Sequence, residues 1–138
     1  MTFELRIFQW SWGLLVNLDI DARRSPITPP NAREIAPDVV LDLSRYEGPL
    51  LGWAEAELAA GLRRAAPALR GALPGAEPIT VSIDKLWVAN VDWQEGATEL
   101  AVVAWAAEFC AVEAEPAEVV FDKTANRYRI TYLADFAD

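Results

Sequence analysis

Two aspartates, Asp19 and Asp21, have the spacing best suited to chemistry in this chain. They alternate at the end of a predicted strand, so their carboxylates lie on one side of it. Paired carboxylates can hold Mg²⁺ or Ca²⁺, or can divide the roles of acid and base. No calcium-loop spacing surrounds them, and alternating aspartates at a strand end are usually solvated. We therefore predict no catalytic residue and no cofactor, and keep the pair as an alternative metal site.

The residue types that are missing narrow the possible reactions. The chain has no histidine and one cysteine, Cys110. Without histidine, the Ser-His-Asp and Cys-His nucleophile systems and histidine metal sites are excluded. A single cysteine excludes an internal disulfide and fits a reducing compartment. We therefore expect a binding protein rather than an enzyme.

Six tryptophans among 138 residues suit either core packing or the wall of a ligand pocket. Trp10 and Trp12 point the same way if their segment is extended, and Trp53 is a third candidate for the same wall. The alternative function is therefore a small-molecule-binding protein, or a histidine-free enzyme, with a tryptophan-lined pocket.

The charge distribution bears on partners. Eight acidic residues and no basic one lie between Leu86 and Asp122: Asp92, Glu95, Glu99, Glu108, Glu113, Glu115, Glu118 and Asp122. The net charge is −9. Nucleic acid and anionic membranes bind through clustered Lys and Arg, so we expect neither as a partner. A basic protein fits the field of this chain better.

The strands follow from alternating apolar residues and from the turn residues between them. Alternation predicts strands over Phe3–Ile7 and Leu14–Ile20, with a turn at Gly13, and a clear strand at Ile79–Ile83 that runs on to Val88 with a bulge near Asp84–Lys85. A short strand is predicted at Val39–Leu43, and a closing hairpin pairs Val119–Phe121 with Arg127–Leu133. Four prolines predict that Ala22–Pro37 is irregular.

Two helices are predicted from apolar spacings of three and four and from their end signals. The first begins at Gly48-Pro49, and Pro67 should end or kink it near Ala66. The second runs from Trp93 to about Cys110, with Asp92 as the N-cap. The tail from Ala134 to Asp138 is expected to fray.

This order of elements predicts an α+β protein. We expect one domain over residues 1–138, with a mainly antiparallel sheet of about five to six strands and two helices packed on one face. The longest apolar run, Leu100–Ala107, is far shorter than the roughly 20 residues that cross a bilayer. The N-terminus does not resemble a signal peptide. We therefore expect a soluble, cytoplasmic protein.

The second helix is apolar on two opposite faces. Leu100 and Val103 belong to the first face, whereas Val102, Trp105 and Phe109 belong to the second. The second face is covered either by the first helix or a loop, or by a partner. In the partner hypothesis, these three residues form the centre of an interface and Glu99, Glu108 and Glu113 form its acidic rim.

The partner hypothesis leads to the favoured function. We expect a non-catalytic acidic binding protein that masks or regulates a basic partner protein, as an immunity-type inhibitor of a cationic toxin does. A homodimer is also possible through the same face, although two acidic rims would repel each other.

Overall fold

The protein is α+β, with two helices against a five-stranded sheet and a separate two-stranded sheet. The computed structural model describes residues 1–9, 12–47, 50, 52–88 and 95–136. The elements in chain order are β1 (Thr2–Gln9), β2 (Trp12–Arg24), β3 (Arg33–Ala36), β4 (Val39–Asp42), α1 (Gly52–Ala72), β5 (Ile79–Val88), α2 (Ala97–Cys110), β6 (Ala117–Asp122), β7 (Arg127–Tyr132) and a 3₁₀ turn (Leu133–Phe136).

The large sheet is mainly antiparallel, with the strand order β1-β2-β5-β4-β3. Only β4 and β5 are parallel, because α1 carries the chain back between them. The inner face of this sheet is lined by alternating residues such as Val16, Leu18, Ile20, Val81 and Ile83, each at most 1% exposed. The predicted fold class is confirmed, with one difference: the closing hairpin pairs only with itself.

The strand predictions hold except near Gly13 and Pro26–Pro37. Gly13 pairs with Phe8 inside the ladder, so the predicted turn at Gly13 is wrong. Residues 10 and 11 lie outside the described residues. The predicted bulge is confirmed, because Asp19 pairs with Lys85 while Ile20 pairs with Ile83 and Asp84 is left over. The predicted irregularity of Ala22–Pro37 is only partly right, since β2 runs on to Arg24 and Arg33–Ala36 forms an edge strand, and neither stretch contains a proline.

Helix α1 continues past Pro67 to Ala72, so an end near Ala66 is wrong, while the alternative of a kink at Pro67 stays a prediction. Its predicted start at Gly48-Pro49 lies outside the described residues. Burial explains the continuation. Leu58, Leu62 and Leu69 are 0% exposed and form one apolar stripe against the sheet and α2. Continuing the helix keeps Leu69 in the core, and this favours helix beyond the proline, which itself lies exposed.

Helix α2 begins later than predicted and is capped differently. Glu95 and Gly96 form a turn, and Gly96 adopts φ 86° at the N-cap, without a side-chain cap of its own. The predicted cap Asp92 and the predicted start at Trp93 lie outside the described residues. The cap comes from α1 instead: Glu57 Oε1 accepts hydrogen bonds from the backbone N–H groups of Thr98 (3.1 Å) and Glu99 (3.3 Å).

The closing hairpin β6–β7 covers the other side of α2. Leu100 and Val103 pack there against Tyr132 and the partly buried Val119 and Ile130. Beyond it, the predicted frayed tail is ordered as far as the 3₁₀ turn. Among the described residues, neither helix is long and apolar enough to cross a membrane.

Candidate functional site

The apolar face proposed as an interface is buried inside the protein. Val102 and Trp105 are both 0% exposed and belong to the main core. The hypothesis that they form the exposed centre of a docking surface is therefore wrong for the folded chain. The alternative, in which the first helix covers this face, is the one that the structure supports.

Gly61 explains how α1 can cover that face. A Cβ placed at Gly61 would lie 2.7 Å from Val102 Cβ and 2.9 Å from the Glu99 carbonyl oxygen. The two helices cross so closely at this point that only glycine fits. The close crossing brings Val102 and Trp105 into the shared core. Phe109 packs on Trp105 with ring centroids 5.3 Å apart and stays partly exposed.

Glu99, assigned to the acidic rim, takes part in an internal ion cluster. Arg64 Nε donates to Glu99 Oε2 (3.1 Å), and its terminal nitrogens donate to Glu115 Oε1 (2.8 Å) and Asp135 Oδ2 (2.8 Å). We call Arg64, Glu99, Glu115 and Asp135 the Arg64 cluster. It joins α1, α2, the segment before β6 and the 3₁₀ turn, so it fastens the C-terminal hairpin to the helices.

In the Arg64 cluster one guanidinium is shared by three carboxylates, and this shifts the pKa values of its members. The hydrogen bond to Asp135 and the neighbouring carboxylates raise the pKa of Arg64 further above its ordinary value, and the same hydrogen bond lowers the pKa of Asp135. The side chain of Arg64 is only 22% exposed. Its guanidinium carbon also lies 3.7 Å from the centre of the Tyr132 ring, a cation–π contact.

Tyr132 places a buried hydroxyl beside this cluster. The residue is 5% exposed, and its hydroxyl interacts with the Glu99 carboxylate, although no well-aligned hydrogen bond forms within the described part of the chain. Burial, reinforced by the carboxylates of Glu99 and Glu115, raises the pKa of Tyr132 above its ordinary value. The hydroxyl is therefore protonated at every physiological pH.

A cavity of about 400 Å³ opens next to Tyr132. We call it the α1–β7 cavity, because it lies between α1, the start of α2 and β7. Its walls carry both charge types and two tyrosine rings: Glu57, Arg64, Glu95, Gly96, Glu99, Arg127, Tyr128, Arg129, Ile130, Tyr132 and Asp135. It is the largest of the described cavities.

Two of the predicted rim residues remain at the surface. Glu108 and Glu113 are exposed, and Val112 between them is 52% exposed. The helix ends with Ala111 at φ 54°, where the Val112 N–H donates to the Ala107 carbonyl (3.0 Å). The described helix has no basic residue in its last turn. We call Glu108, Val112 and Glu113 the acidic end of α2.

The aspartate pair proposed as a metal site occupies a second cavity of about 370 Å³ on the outer face of the sheet. The Met1 ammonium lies 2.8 Å from Asp21 Oδ2 and 3.8 Å from Asp19 Oδ1. Within the described residues there is no group of three or more side chains that could hold a metal ion. The pair is thus an ion pair with the chain's own amino group in this structure.

Asp42 is the one buried carboxylate near that cavity. It is 5% exposed, accepts a hydrogen bond from the Ser44 N–H (2.9 Å), and lies 3.3 Å from the Ser82 hydroxyl, which donates to it. Burial acts to raise the pKa of Asp42, but these hydrogen bonds and the charge of Arg23 outweigh it, so the pKa is lowered. Asp42 is therefore ionised at neutral pH and is a weak base, which fits a structural role.

The predicted tryptophan wall is not part of the α1–β7 cavity or of the cavity at Asp19 and Asp21, as far as their walls are described. Trp10 lies outside the described residues, Trp12 begins β2, and Trp53 lies half-buried in the first turn of α1. The walls of the two larger cavities carry no tryptophan among the described residues. Burial raises the pKa of the Cys110 thiol, so the cysteine is a poor nucleophile.

Sequence reasoning missed Arg64, Glu57 and Tyr132. Arg64 is the internal partner of the acidic stretch, with hydrogen bonds to Glu99 and Glu115. The signal that could have found it is the excess of carboxylates after Leu86, which needs at least one internal cation. Gly61 was also a signal, since a glycine inside an alanine-rich helix usually marks a close approach.

Comparisons with known proteins found no match to this chain. No protein-family model matches the chain, and neither a curated protein nor a solved structure is significantly similar to it. The function is therefore argued from the geometry alone.

Proposed function

We propose that this protein is a non-catalytic acidic binding protein of the cytoplasm that masks or regulates a basic partner protein. An immunity-type inhibitor is a physical example of this class. The observation that supports it is the acidic end of α2, where Glu108 and Glu113 lie exposed around Val112 with no cation in the last turn of the helix. The surface differs from the one that the sequence predicted.

The electrostatics favour a cationic partner at this end of the helix. The carbonyl groups at the C-terminus of a helix carry partial negative charge, so carboxylates there are slightly unfavourable. A Lys or Arg side chain of a partner would relieve this repulsion. The net charge of −9 adds a long-range field that speeds the encounter with a basic protein and disfavours nucleic acid and anionic membranes.

The apolar contact at this surface is Val112 together with the exposed edge of Phe109. It replaces the buried Trp105 as the centre of the contact. The exposed acidic side chains surround it and act mainly on the association rate, as rim charges do. Two copies of the protein would bring the same carboxylates together, so a heterologous basic partner is favoured over a homodimer.

The test begins with capture of partners from the native host at low and high salt, followed by kinetics on the purified complex. Glu108→Lys and Glu113→Lys should each lower the association rate about three- to tenfold at low salt. Each substitution replaces a negative rim charge, which attracts the basic partner, with a positive charge that repels it. Val112→Ala should act mainly on the dissociation rate.

The matched control is Glu34→Lys. Glu34 is exposed on the edge strand β3, at the opposite side of the sheet from β1 and β2, which α2 contacts. The Glu34→Lys substitution changes the net charge by the same amount as Glu108→Lys does. If Glu34→Lys slows association as much as Glu108→Lys does, binding reflects net charge only and the acidic end of α2 is not the contact surface.

A further inference from the structure

Strand β1 forms one edge of the five-stranded sheet, and no strand of the described chain pairs with its free side. The strand is eight residues long, contains no proline and pairs with β2 without a register shift. The opposite edge, β3, is four residues long, and its pairing with β4 shifts between Glu34 and Ala36. Short and irregular edges protect a sheet against pairing with another chain, whereas a long and regular edge is open to it.

The hydrogen bonds between β1 and β2 show which backbone groups of β1 face outward. The Ile20 N–H donates to the Met1 carbonyl oxygen (2.9 Å), so these two residues form a hydrogen-bonded pair of the antiparallel ladder. Such pairs recur at every second residue, so Phe3, Leu5 and Ile7 direct their N–H and carbonyl groups to β2. The residues between them direct these groups away from β2, to the free side: Thr2, Glu4, Arg6 and Phe8.

The charged side chains of β1 suit an antiparallel copy of the same strand. Glu4 and Arg6 alternate with the buried Phe3, so they lie on the outer face of the sheet, where they are 46% and 70% exposed. In a copy related by a two-fold axis at Leu5, Glu4 lies opposite Arg6 of the second copy. By symmetry the same contact forms twice. Opposite charges that face each other across two strands stabilise their pairing.

The backbone allows few registers, and the charges select one of them. Outward-facing residues must pair with one another, so the copy can shift only by steps of two residues. A shift in one direction places Glu4 opposite Glu4, and a shift in the other places Arg6 opposite Arg6. Both bring like charges together. The register centred on Leu5 therefore satisfies the outward-facing N–H and carbonyl groups and both charged side chains.

The inner face of β1 keeps apolar surface that a second copy would cover. Phe3 is buried, but Leu5 and Ile7 are only half-buried at the margin of the core. In the register centred on Leu5, the two Leu5 side chains meet at the axis, and Phe3 lies opposite Ile7 of the second copy. The apolar layer of one copy then continues into the other.

The edges of the two-stranded sheet do not suit a copy of themselves. The charged residues of β6, Glu118 and Asp122, are both acidic, and those of β7, Arg127 and Arg129, are both basic. A copy of either strand would bring like charges together or leave them unpaired. Among the described strands, β1 thus combines a long free edge with charges of both signs in self-complementary order.

We propose that two copies of this protein associate through β1, antiparallel and centred on Leu5, and join their five-stranded sheets into one. Main-chain hydrogen bonds supply the affinity of such strand addition, and the paired charges fix its register. The surface shares no residue with the acidic end of α2, where like charges disfavour a dimer. The dimer does not rest on the proposed function and needs no basic partner.

The test is sedimentation equilibrium of the purified full chain at fixed salt, at protein concentrations up to about 1 mM. The mass should rise to that of two chains and stop there, because a two-fold interface closes on itself. Glu4→Arg and Arg6→Glu should each raise the Kd of the dimer about tenfold or more, because each turns both opposite-charge contacts into like-charge contacts.

A mixture of the two variants tests the register directly. Glu4→Arg carries two positive charges on this face and Arg6→Glu carries two negative ones, so each offers the other opposite charges at both contacts. The mixture should form a heterodimer at concentrations at which each variant alone is monomeric. The double variant Glu4→Arg/Arg6→Glu reverses the order of the charges, and its dimer should have a Kd close to that of the wild type.

The matched control is Glu34→Arg, which makes the same charge change as Glu4→Arg on β3, at the other edge of the sheet. It should leave the Kd of the dimer unchanged. Urea unfolding should show that Glu4→Arg and Arg6→Glu stay folded, because both replaced side chains are exposed.

Four results would overturn the proposal. They are a chain that stays monomeric over the whole concentration range, a Kd that Glu4→Arg does not change, an equal loss of dimer in Glu34→Arg, and a mixture of the two variants that does not associate. All are measured on the isolated chain, so failure here leaves the acidic end of α2 untouched, and the reverse holds as well.

Discussion

The crossing of α1 and α2 at Gly61 decides whether Trp105 is core or surface, and it can be tested with one methyl group. In Gly61→Ala the new Cβ would lie 2.7 Å from Val102 Cβ and 2.9 Å from the Glu99 carbonyl oxygen. Both are closer than real Cβ contacts, and one is backbone, so the helices must move apart. Overpacking of this kind costs about 1–3 kcal/mol.

The methyl group also brings a gain that must be subtracted. Alanine is about 1 kcal/mol better than glycine in a helix interior, so the net change for Gly61→Ala is a destabilisation of about 0–2 kcal/mol. Gly71 provides the matched control in the same helix, because a Cβ added there would meet no atom within 4 Å and its φ is ordinary. Gly71→Ala should therefore stabilise the protein, by about 0.5 kcal/mol near the helix end.

Urea unfolding followed by circular dichroism measures both changes. The midpoint of Gly61→Ala should lie below that of Gly71→Ala, with a difference of about 0.5–2.5 kcal/mol in the free energy of unfolding between the variants. If Gly61→Ala is as stable as Gly71→Ala, the helices do not cross closely at Gly61. In that case Val102 and Trp105 would be available to a partner after all, and the docking surface would have to include them.

Three further changes test the cluster, the buried carboxylate and the end of α2. Arg64→Ala should lower the free energy of unfolding by about 2–3 kcal/mol in urea titrations, because carboxylates lose their shared cation. The neighbouring Arg63→Ala removes one hydrogen bond, from Arg63 Nε to the Ile35 carbonyl oxygen, and should cost about 1 kcal/mol; equal losses would refute the role of the cluster. Asp42→Asn should lower the free energy of unfolding by about 1 kcal/mol at pH 7. Since the folded pKa of Asp42 is lowered, this contribution exists above the unfolded pKa and fades as the pH falls through the folded pKa. If the difference in the free energy of unfolding between wild type and Asp42→Asn persists undiminished at pH 2–3, the assignment is contradicted. Ala111→Gly should raise the free energy of unfolding by about 0.5–1 kcal/mol, because φ 54° strains alanine and suits glycine, and a thermal melt that shows a loss would contradict it.

The sequence predicted well where the determinants are local. Alternation placed β5 and even its bulge at Asp84, because the period-two pattern slips there. It failed where one element is finished by a distant one. The cap of α2 is Glu57, 41 residues from Thr98 along the chain, and no pattern around Asp92 or Gly96 could reveal it.

The candidate site, like the fold, could be predicted from the sequence only in part. The exposure of Glu108 and Glu113 was predictable, because charged residues at a helix end rarely become buried. The burial of Trp105 was not, because a helix with two apolar faces leaves open what covers each of them. The deciding residue, Gly61, lies in the other helix, and its meaning depends on the crossing angle and not on spacing.

The acidic stretch that dominates the sequence therefore serves two physical roles. Glu99 and Glu115 are less than a quarter exposed and share Arg64, so their charge is used within the fold to hold the C-terminal hairpin. Glu108 and Glu113 are exposed at a helix end where their charge is unfavourable in the isolated chain. Since only the second pair remains uncompensated by the cluster, salt should weaken partner binding far more than it weakens folding, because exposed charges are screened more than buried ones. In the proposed function, the same kind of charge that holds the fold together also attracts the basic partner.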